Sequence, residues 1–297
     1  MRSLLFVPGN KVDMLAKAAG LAPDVLVPDM EDSVPDGEKP AARTAIAAWL
    51  PKLASHRALL LPRVNGLRTP WFNDDVAAVA VPGVFGVSVG KVDSALDIES
   101  IHQSLAFAEH QAGLEIGQLR LIPWIESAEA VVNCYSICTA SERIVAVAFG
   151  GEDYAHDMQI ERLDDESNVV YARSVICNAA RAAGVLALDT PYFRFRDTEG
   201  LKASSLAARR LGFKGRFAIH PDQIATIEEC FAPTAEEIEQ AKRIVAAFAE
   251  AERQGRGSTS LDGRVIDIPV VRRARAILAQ AGADAVAQIA AAPERVP

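Results

Sequence analysis

With 297 residues, 50% of them hydrophobic and 24% charged, the chain has the profile of a soluble globular protein with a large core. A formal net charge of -8 argues against nucleic acid or an anionic membrane as partner, since both call for a basic face. No apolar run approaches the roughly 20 residues that span a bilayer, and Met1 to Gly9 lacks the longer apolar region and cleavage site of a signal peptide.

Short apolar runs recur in chain order at Ser3–Val7, Val25–Pro28, Ala58–Pro62, Val84–Val89, Leu119–Ile125, Ile144–Phe149, Val185–Leu188 and Arg216–Ile219. They are apolar on both faces, as parallel strands covered on each side must be. Helical periodicity fills the intervals: Lys11–Leu21, Lys39–Leu53, Trp71–Val79, Ala95–Ala112, Ala128–Thr139, Ser167–Ala183, Thr198–Leu211 and Gln223–Cys230. Eight such pairs predict an α/β fold, a closed (β/α)₈ TIM barrel, whose usual size is about 250 residues. An open doubly wound sheet is the rival. It calls for a glycine-rich phosphate turn after the first strand, and Pro8-Gly9-Asn10 is not one.

The barrel is assigned residues 1–232, and residues 233–297 a C-terminal helical extension and lid. Pro233-Thr234 signals the start of a helix over Ala235–Glu252. The glycine-rich run from Gly255 to Gly263 reads equally as a mobile lid or an exposed turn. A helix over roughly Val270–Gln280 follows, and the alanine-rich tail from Ala283 to Pro297 is expected to be peripheral. Cys134, Cys138, Cys177 and Cys230 fall in helical patterns without zinc-site spacing. They read as buried thiols of a cytoplasmic protein.

Barrel active sites form where the strands end. There the sequence places Asn10; Asp29, Glu31 and Asp32; Arg63 and Asn65; Lys91; Glu126; Glu152 and Asp153; Asp189; and His220. So many carboxylates cannot all stay ionised at close range uncompensated. Arg63 and Lys91 offset two charges, and a divalent cation would offset more. Oxygen donors without a histidine pair favour Mg²⁺, with Mn²⁺ second. Glu126 and Asp153, at the ends of neighbouring strands, suit that ion. The plainer reading of each is a helix N-cap carboxylate. For His220 the plainer reading is a buried, hydrogen-bonded histidine at the barrel end.

Ordered motifs then carry a resemblance. Arg2-Ser3-Leu4-Leu5-Phe6-Val7-Pro8-Gly9, Asp29-Met30-Glu31-Asp32-Ser33-Val34, Lys39 with Ala42-Arg43, Arg63-Val64-Asn65, Ile125-Glu126-Ser127-Ala128 and Gly150-Gly151-Glu152-Asp153 come first. Leu211-Gly212-Phe213-Lys214-Gly215, Ala218-Ile219-His220-Pro221-Asp222-Gln223 and Asp262-Gly263-Arg264-Val265-Ile266-Asp267 complete them. Together they resemble the citrate lyase β-subunit-like family, within the HpcH/HpaI aldolase/citrate lyase superfamily, over nearly the whole chain. Two positions depart from the pattern: Lys91 follows Gly90 where relatives usually show Pro-Lys, and Met30 stands where Leu is common.

The resemblance implies a TIM-barrel carbon–carbon lyase that cleaves or forms a β-hydroxyacyl thioester such as malyl-CoA or citramalyl-CoA. It implies Mg²⁺ on Glu126 and Asp153, with Glu31 and Asp32 orienting metal-bound water. Arg63 would contact the reacting oxygens, and Glu126 and Lys91 would join it at the substrate. Asp267, a plain N-cap before Pro269 on sequence alone, becomes the catalytic acid/base. In relatives the C-terminal segment covers a neighbouring subunit's site, so a homotrimer is expected. For the phosphates of coenzyme A the candidate cations are Arg2, Lys11, Lys39 and Arg43. The rivals are a malyl-CoA thioesterase, a citrate lyase β subunit acting on an acyl-carrier-protein thioester, a class II aldolase, and an inactive barrel serving as a binding module.

Overall fold

The computed structural model describes residues 1–54, 57–163 and 165–291. The chain divides into two compact units, Met1–Phe231 and Ala232–Pro297. In the first, β1 (Ser3–Pro8), β2 (Val25–Asp29), β3 (Leu59–Leu60), β4 (Arg63–Val64), β5 (Gly86–Val89), β6 (Arg120–Ile125), β7 (Ala146–Phe149), β8 (Leu186–Asp189) and β9 (Gly215–Ala218) form one sheet. All its pairings are parallel, and β1 bonds to both β2 and β9, so the sheet closes on itself. Strands β3 and β4 are one stave interrupted at Leu61-Pro62, β3 pairing with β2 and β4 with β2 and β5. Pro62 has no N–H to donate and sits in the break. Eight staves with helices between them make the TIM barrel that the alternation predicts.

Strand alternation explains why both faces are apolar. Leu4, Val25, Val27, Ile122, Trp124 and Phe217 belong to one buried cluster inside the barrel. Their neighbours Leu5, Leu26 and Leu121 belong to another, against the surrounding helices.

Helices α1 (Val12–Ala18), α2 (Lys39–Leu53), α3 (Phe72–Val79) and α4 (Ala95–Gln111) follow the first staves. The helix expected over Ala128–Thr139 is two, α5 (Ala128–Val132) and α6 (Cys134–Thr139). Asn133 breaks it, donating its Nδ2 to Asp93 O at 2.9 Å. The circuit is completed by α7 (Gly151–Asp157), α8 (Val170–Ala183), α9 (Thr198–Leu211) and α10 (Gln223–Phe231). All four cysteines are buried free thiols.

In the second unit, α11 (Ala235–Arg253) opens with a capping box between Thr234 and Glu237. The glycine-rich run, expected as lid or turn, folds into an antiparallel hairpin of β10 (Thr259–Leu261) and β11 (Arg264–Ile266). Asp262 and Gly263 make its turn at φ of 52° and 75°, the left-handed pair that a tight hairpin requires. Helix α12 (Ile268–Ala291) is longer than predicted, and Phe248, Ile266 and Val271 form this unit's core. The end of the expected tail, 292–297, lies outside the described residues. Among the described residues no helix is long and apolar enough to cross a membrane.

Candidate active site

Asp29 ends β2 fully buried, and Arg63 opens β4 beside it in register. The guanidinium grips the carboxylate in a fork, Nε to Oδ1 and Nη2 to Oδ2, both at 2.7 Å. Burial pushes the Asp29 carboxyl up, but the Arg63 charge and the hydrogen bonds from Arg63, Ser33 and the Glu31 N–H together outweigh it and hold the group below the ordinary aspartate range. The remaining nitrogen, Arg63 Nη1, stands 3.0 Å from Asp32 Oδ2 and 3.1 Å from Glu31 Oε2. Beneath it the guanidinium carbon lies 4.5 Å from the centre of the Phe6 ring, and Phe6 stacks with Trp124 and Phe217. Asp29 and this aromatic floor therefore aim Arg63, and only Nη1 is placed to exchange partners.

Glu126 follows β6 and is buried. It has room because its neighbours are glycines. A Cβ on Gly150 would strike the Glu126 side chain, and one on Gly90 would sit 2.8 Å from Glu31 Oε1 and 3.1 Å from Glu126 Oε2. Lys91, next to Gly90, adopts a left-handed backbone with φ 57°. A non-glycine residue there is strained by roughly 1 kcal/mol. The twist points its backbone N–H at Glu126 Oε2, 2.7 Å away. Its ammonium meanwhile reaches Glu31 Oε1 at 2.9 Å and Asp32 Oδ1 at 3.3 Å. Lys91, which departs from the motif in following Gly90, thus sits among three of the rim carboxylates.

Glu126 and Asp153 line one cavity of about 280 Å³, with Asp29, Asp32 and Arg63. Among the described residues no three His, Cys, Asp or Glu side chains are gathered for a metal. Mg²⁺ does not need such a cage, because one or two carboxylates suffice where water and substrate oxygens complete the octahedron. Two observations fit that ion. Burial and then the Glu31 charge push the Glu126 carboxyl up to about 8; Lys91 pulls it down, and Asp153 adds a lesser push upward. Glu31 Oε2 is buried and accepts no hydrogen bond, having only the Arg63 charge 3.1 Å away, although buried acceptors are normally satisfied. An all-oxygen donor set this crowded with negative charge fits a hard divalent cation.

The plainer readings of these two carboxylates do not hold. Ser127 caps α5, accepting from Ala130 N at 3.0 Å, and Gly150 occupies the N-cap position of α7. Asp153 lies inside the first turn of α7, half-buried.

Several other rim residues have structural work instead. Asp189 is neutralised by Arg173, 2.8 Å away, and by Arg216, so it needs no cation. Asn10 donates to Glu38 and Asn65 to Asp75. His220, expected buried, is 40% exposed at its side chain, close to Asp222 and stacked on Phe195 with centroids 5.1 Å apart. Of the cations considered for coenzyme A, Lys39 is buried with Nζ on the carbonyls of Met30 and Glu31. Arg43 is held by Asp75 at 2.7 Å. Arg2 precedes β1 beside Asp24, at the opposite end of the barrel from the strand ends. Asp267, in the second unit, is exposed, and its Oδ1 caps α12 by accepting from Val270 N at 3.2 Å. Asp267 therefore carries the N-cap role that its sequence position predicts.

Sequence reasoning missed the aromatic floor and the two buried arginines. Arg216 in the middle of an apolar stave was itself the signal, since a charge buried there demands an opposite partner.

A closed barrel whose strand ends crowd buried carboxylates around a small cavity defines an enzyme, and comparison with known proteins gives its class. Residues 2–221 match the HpcH/HpaI aldolase/citrate lyase family, and the chain belongs to that family of carbon–carbon lyases. Citrate lyase subunit beta of Leuconostoc mesenteroides subsp. cremoris is 36% identical over 95% of this chain and 94% of its own. A (3S)-malyl-CoA thioesterase of Cereibacter sphaeroides is 35% identical, with 95% of each chain covered. Protein CitE from Mycobacterium tuberculosis, solved in complex with magnesium, acetoacetate and coenzyme A, has a TM-score of 0.77 at 28% identity. That match covers 95% of this chain and 98% of CitE.

Proposed function

We propose that this lyase is Mg²⁺-dependent and cleaves or forms a β-hydroxyacyl-CoA thioester such as malyl-CoA or citramalyl-CoA, interconverting it with a keto acid and a shorter acyl-CoA. The observation that carries this reading is the Glu126 carboxylate, buried under the negative charge of Glu31 and sharing a cavity with Asp153. Glu126 and Asp153 would hold the ion. Bound there, it polarises the carbonyl of the keto-acid portion and neutralises the carbinol oxygen as charge develops.

The chain's own groups do the rest. Arg63, held rigid by Asp29, presents Nη1 to the thioester oxygen as the enolate forms. Glu31 and Asp32 orient water at the rim, and Lys91 offsets their charge. Asp267 removes a proton from the acyl methyl carbon in condensation and returns it in cleavage. Its place in the separate C-terminal unit suits a segment that covers a neighbouring subunit's site in a homotrimer. A cytoplasmic location accords with four free thiols.

The resemblance to a malyl-CoA thioesterase supports a second reading, hydrolysis of the thioester. The citrate lyase relative supports a third, in which the thioester is borne by a carrier protein. One assay separates them: malyl-CoA and citramalyl-CoA are incubated with Mg²⁺ or with EDTA and the products identified. Keto acid plus acyl-CoA, lost in EDTA, supports the lyase. Free malate plus coenzyme A supports the thioesterase. Inertness toward both substrates overturns the coenzyme A reading.

A further inference from the structure

The ladder between β5 and β6 ends at Val89 and Pro123, short of Glu126. Beyond that point the loop that carries this carboxylate needs other fixings. On the β7 side the main chain supplies one, Gly150 N donating to Ile125 O at 3.1 Å. On the β5 side the fixings converge on a residue to which the chemistry above gives no part, Asp93.

Asp93 follows Lys91 in the turn after β5. Its Oδ1 accepts from Ser127 Oγ at 2.6 Å, and its main-chain oxygen accepts from Asn133 Nδ2. Ser127 is the residue after Glu126, and its hydroxyl also accepts from Ala130 N as the cap of α5. A hydroxyl has one proton to donate, so those two bonds fix its rotor. The interruption between α5 and α6 at Asn133 likewise faces Asp93. The second carboxylate oxygen of Asp93 meets Arg68 Nη1 at 3.1 Å, and the same nitrogen donates to Lys91 O at 3.3 Å. Arg68 Nη2 forks onto Asp97 at 3.0 and 3.1 Å, and Asp97 closes the capping box of α4.

The turns after β5 and β6 are thus clasped in both directions. Lys91 N–H reaches across to the Glu126 carboxylate, and Ser127 reaches back to Asp93. The left-handed twist at Lys91 persists only where surrounding bonds impose it. Asp93 stands outside the lining of the reaction cavity, so it can act on the site only through these neighbours.

We propose that Asp93 is a positioning residue for the metal site, setting where the Glu126 carboxylate stands by holding Ser127 against the turn that carries Lys91. Bonds that orient a metal ligand are worth about ten- to a hundredfold in affinity. The proposal rests on the Mg²⁺ reading of Glu126 above.

The test compares full-length D93A, D93N, S127A and D93A/S127A. Asparagine loses the charge but keeps an oxygen for Ser127 Oγ, whereas alanine loses both, and Arg68 keeps Asp97 in either variant. Mg²⁺ binding is measured by titration calorimetry without substrate, and exchange of the Lys91 amide proton by NMR in EDTA. D93A should bind Mg²⁺ about tenfold more weakly or worse, and D93N within about threefold of the parent chain. D93A/S127A should bind no more weakly than S127A, because both changes break one bond. The Lys91 amide should exchange about tenfold faster in D93A than in the parent chain or D93N.

Parent-like Mg²⁺ binding in D93A would overturn the proposal. So would equal losses in D93A and D93N, which would make the effect one of charge, or additive losses in the double variant. If the parent chain binds no Mg²⁺, the metal reading of Glu126 fails, and the Lys91 amide decides the clasp by itself. Faster exchange in D93A but not in D93N then supports it, and parent-like exchange in D93A overturns it.

Discussion

Lys91 donates its own backbone N–H to Glu126 Oε2 at 2.7 Å while its ammonium holds Glu31 at 2.9 Å. One residue thus serves the buried carboxylate through its main chain and the rim carboxylates through its side chain. The left-handed φ of 57° makes both contacts compatible.

The two roles separate in Lys91→Gly. Glycine keeps the N–H and relaxes the backbone, so the melting temperature should hold or rise slightly. Removing the ammonium leaves Glu31 and Asp32 with Arg63 Nη1 as their shared cation, and Mg²⁺ should bind roughly three- to tenfold more tightly. Turnover should fall, because the substrate carboxylate then meets more negative charge. Titration calorimetry with Mg²⁺ beside steady-state kinetics checks all three, and weaker Mg²⁺ binding would count against the arrangement.

Glu126→Gln should abolish the response to Mg²⁺ and lower turnover by about a hundredfold or more. It should not destabilise the metal-free protein. A buried carboxyl pushed up to about 8 by burial and by Glu31 and Asp153 is a liability to folding, and the neutral amide removes it. Melting in EDTA should therefore occur at the same or a higher temperature than in the parent chain. A lower one would mean that Glu126 serves the fold rather than the ion.

Away from the site, Glu109 in α4 is fully buried, with Arg143 Nη1 at 2.8 Å and Nη2 at 2.7 Å. It also accepts from Gly117 N and Leu119 N, which holds the approach to β6. Burial raises its pKa, but Arg143 and the two backbone donors outweigh that and hold it below the ordinary glutamate value. A depressed carboxylate stabilises the fold above its unfolded-state pKa and loses that contribution as pH falls through the folded one. Glu109→Gln should cost about 3 kcal/mol at neutral pH, because it strands a buried guanidinium. The deficit should narrow below about pH 4. Urea unfolding at several pH values measures both.

Asp267→Asn separates capping from chemistry. Asparagine caps a helix about as well as aspartate, so the bond to Val270 N and the melting temperature should persist. Turnover should drop by at least about a hundredfold if the carboxylate moves the proton. Unchanged turnover with intact Mg²⁺ binding would leave Asp267 with its structural role alone.

Much of this was legible before any coordinates. The bounds of α2 and α9 follow from periodicity and end signals, and eight two-sided apolar runs imply a covered parallel barrel. The hairpin of β10 and β11 was hidden because its strands are only three residues long and glycines surround it. Asp262-Gly263 was the available turn signal.

The sequence by itself determined which residue types arrive at the strand ends, because each stave ends where its apolar run ends and closure turns all eight ends toward one face. Only the tertiary structure decided which of those charges meet. Asp29 is bound to Arg63 and Asp189 to Arg173 and Arg216, whereas Glu126 is left beside Glu31 with too few cations. The reason is physical. Chain order fixes the stave on which a side chain stands, but pairing between charges depends on distances of a few ångströms set by packing across the barrel, and those appear only in three dimensions.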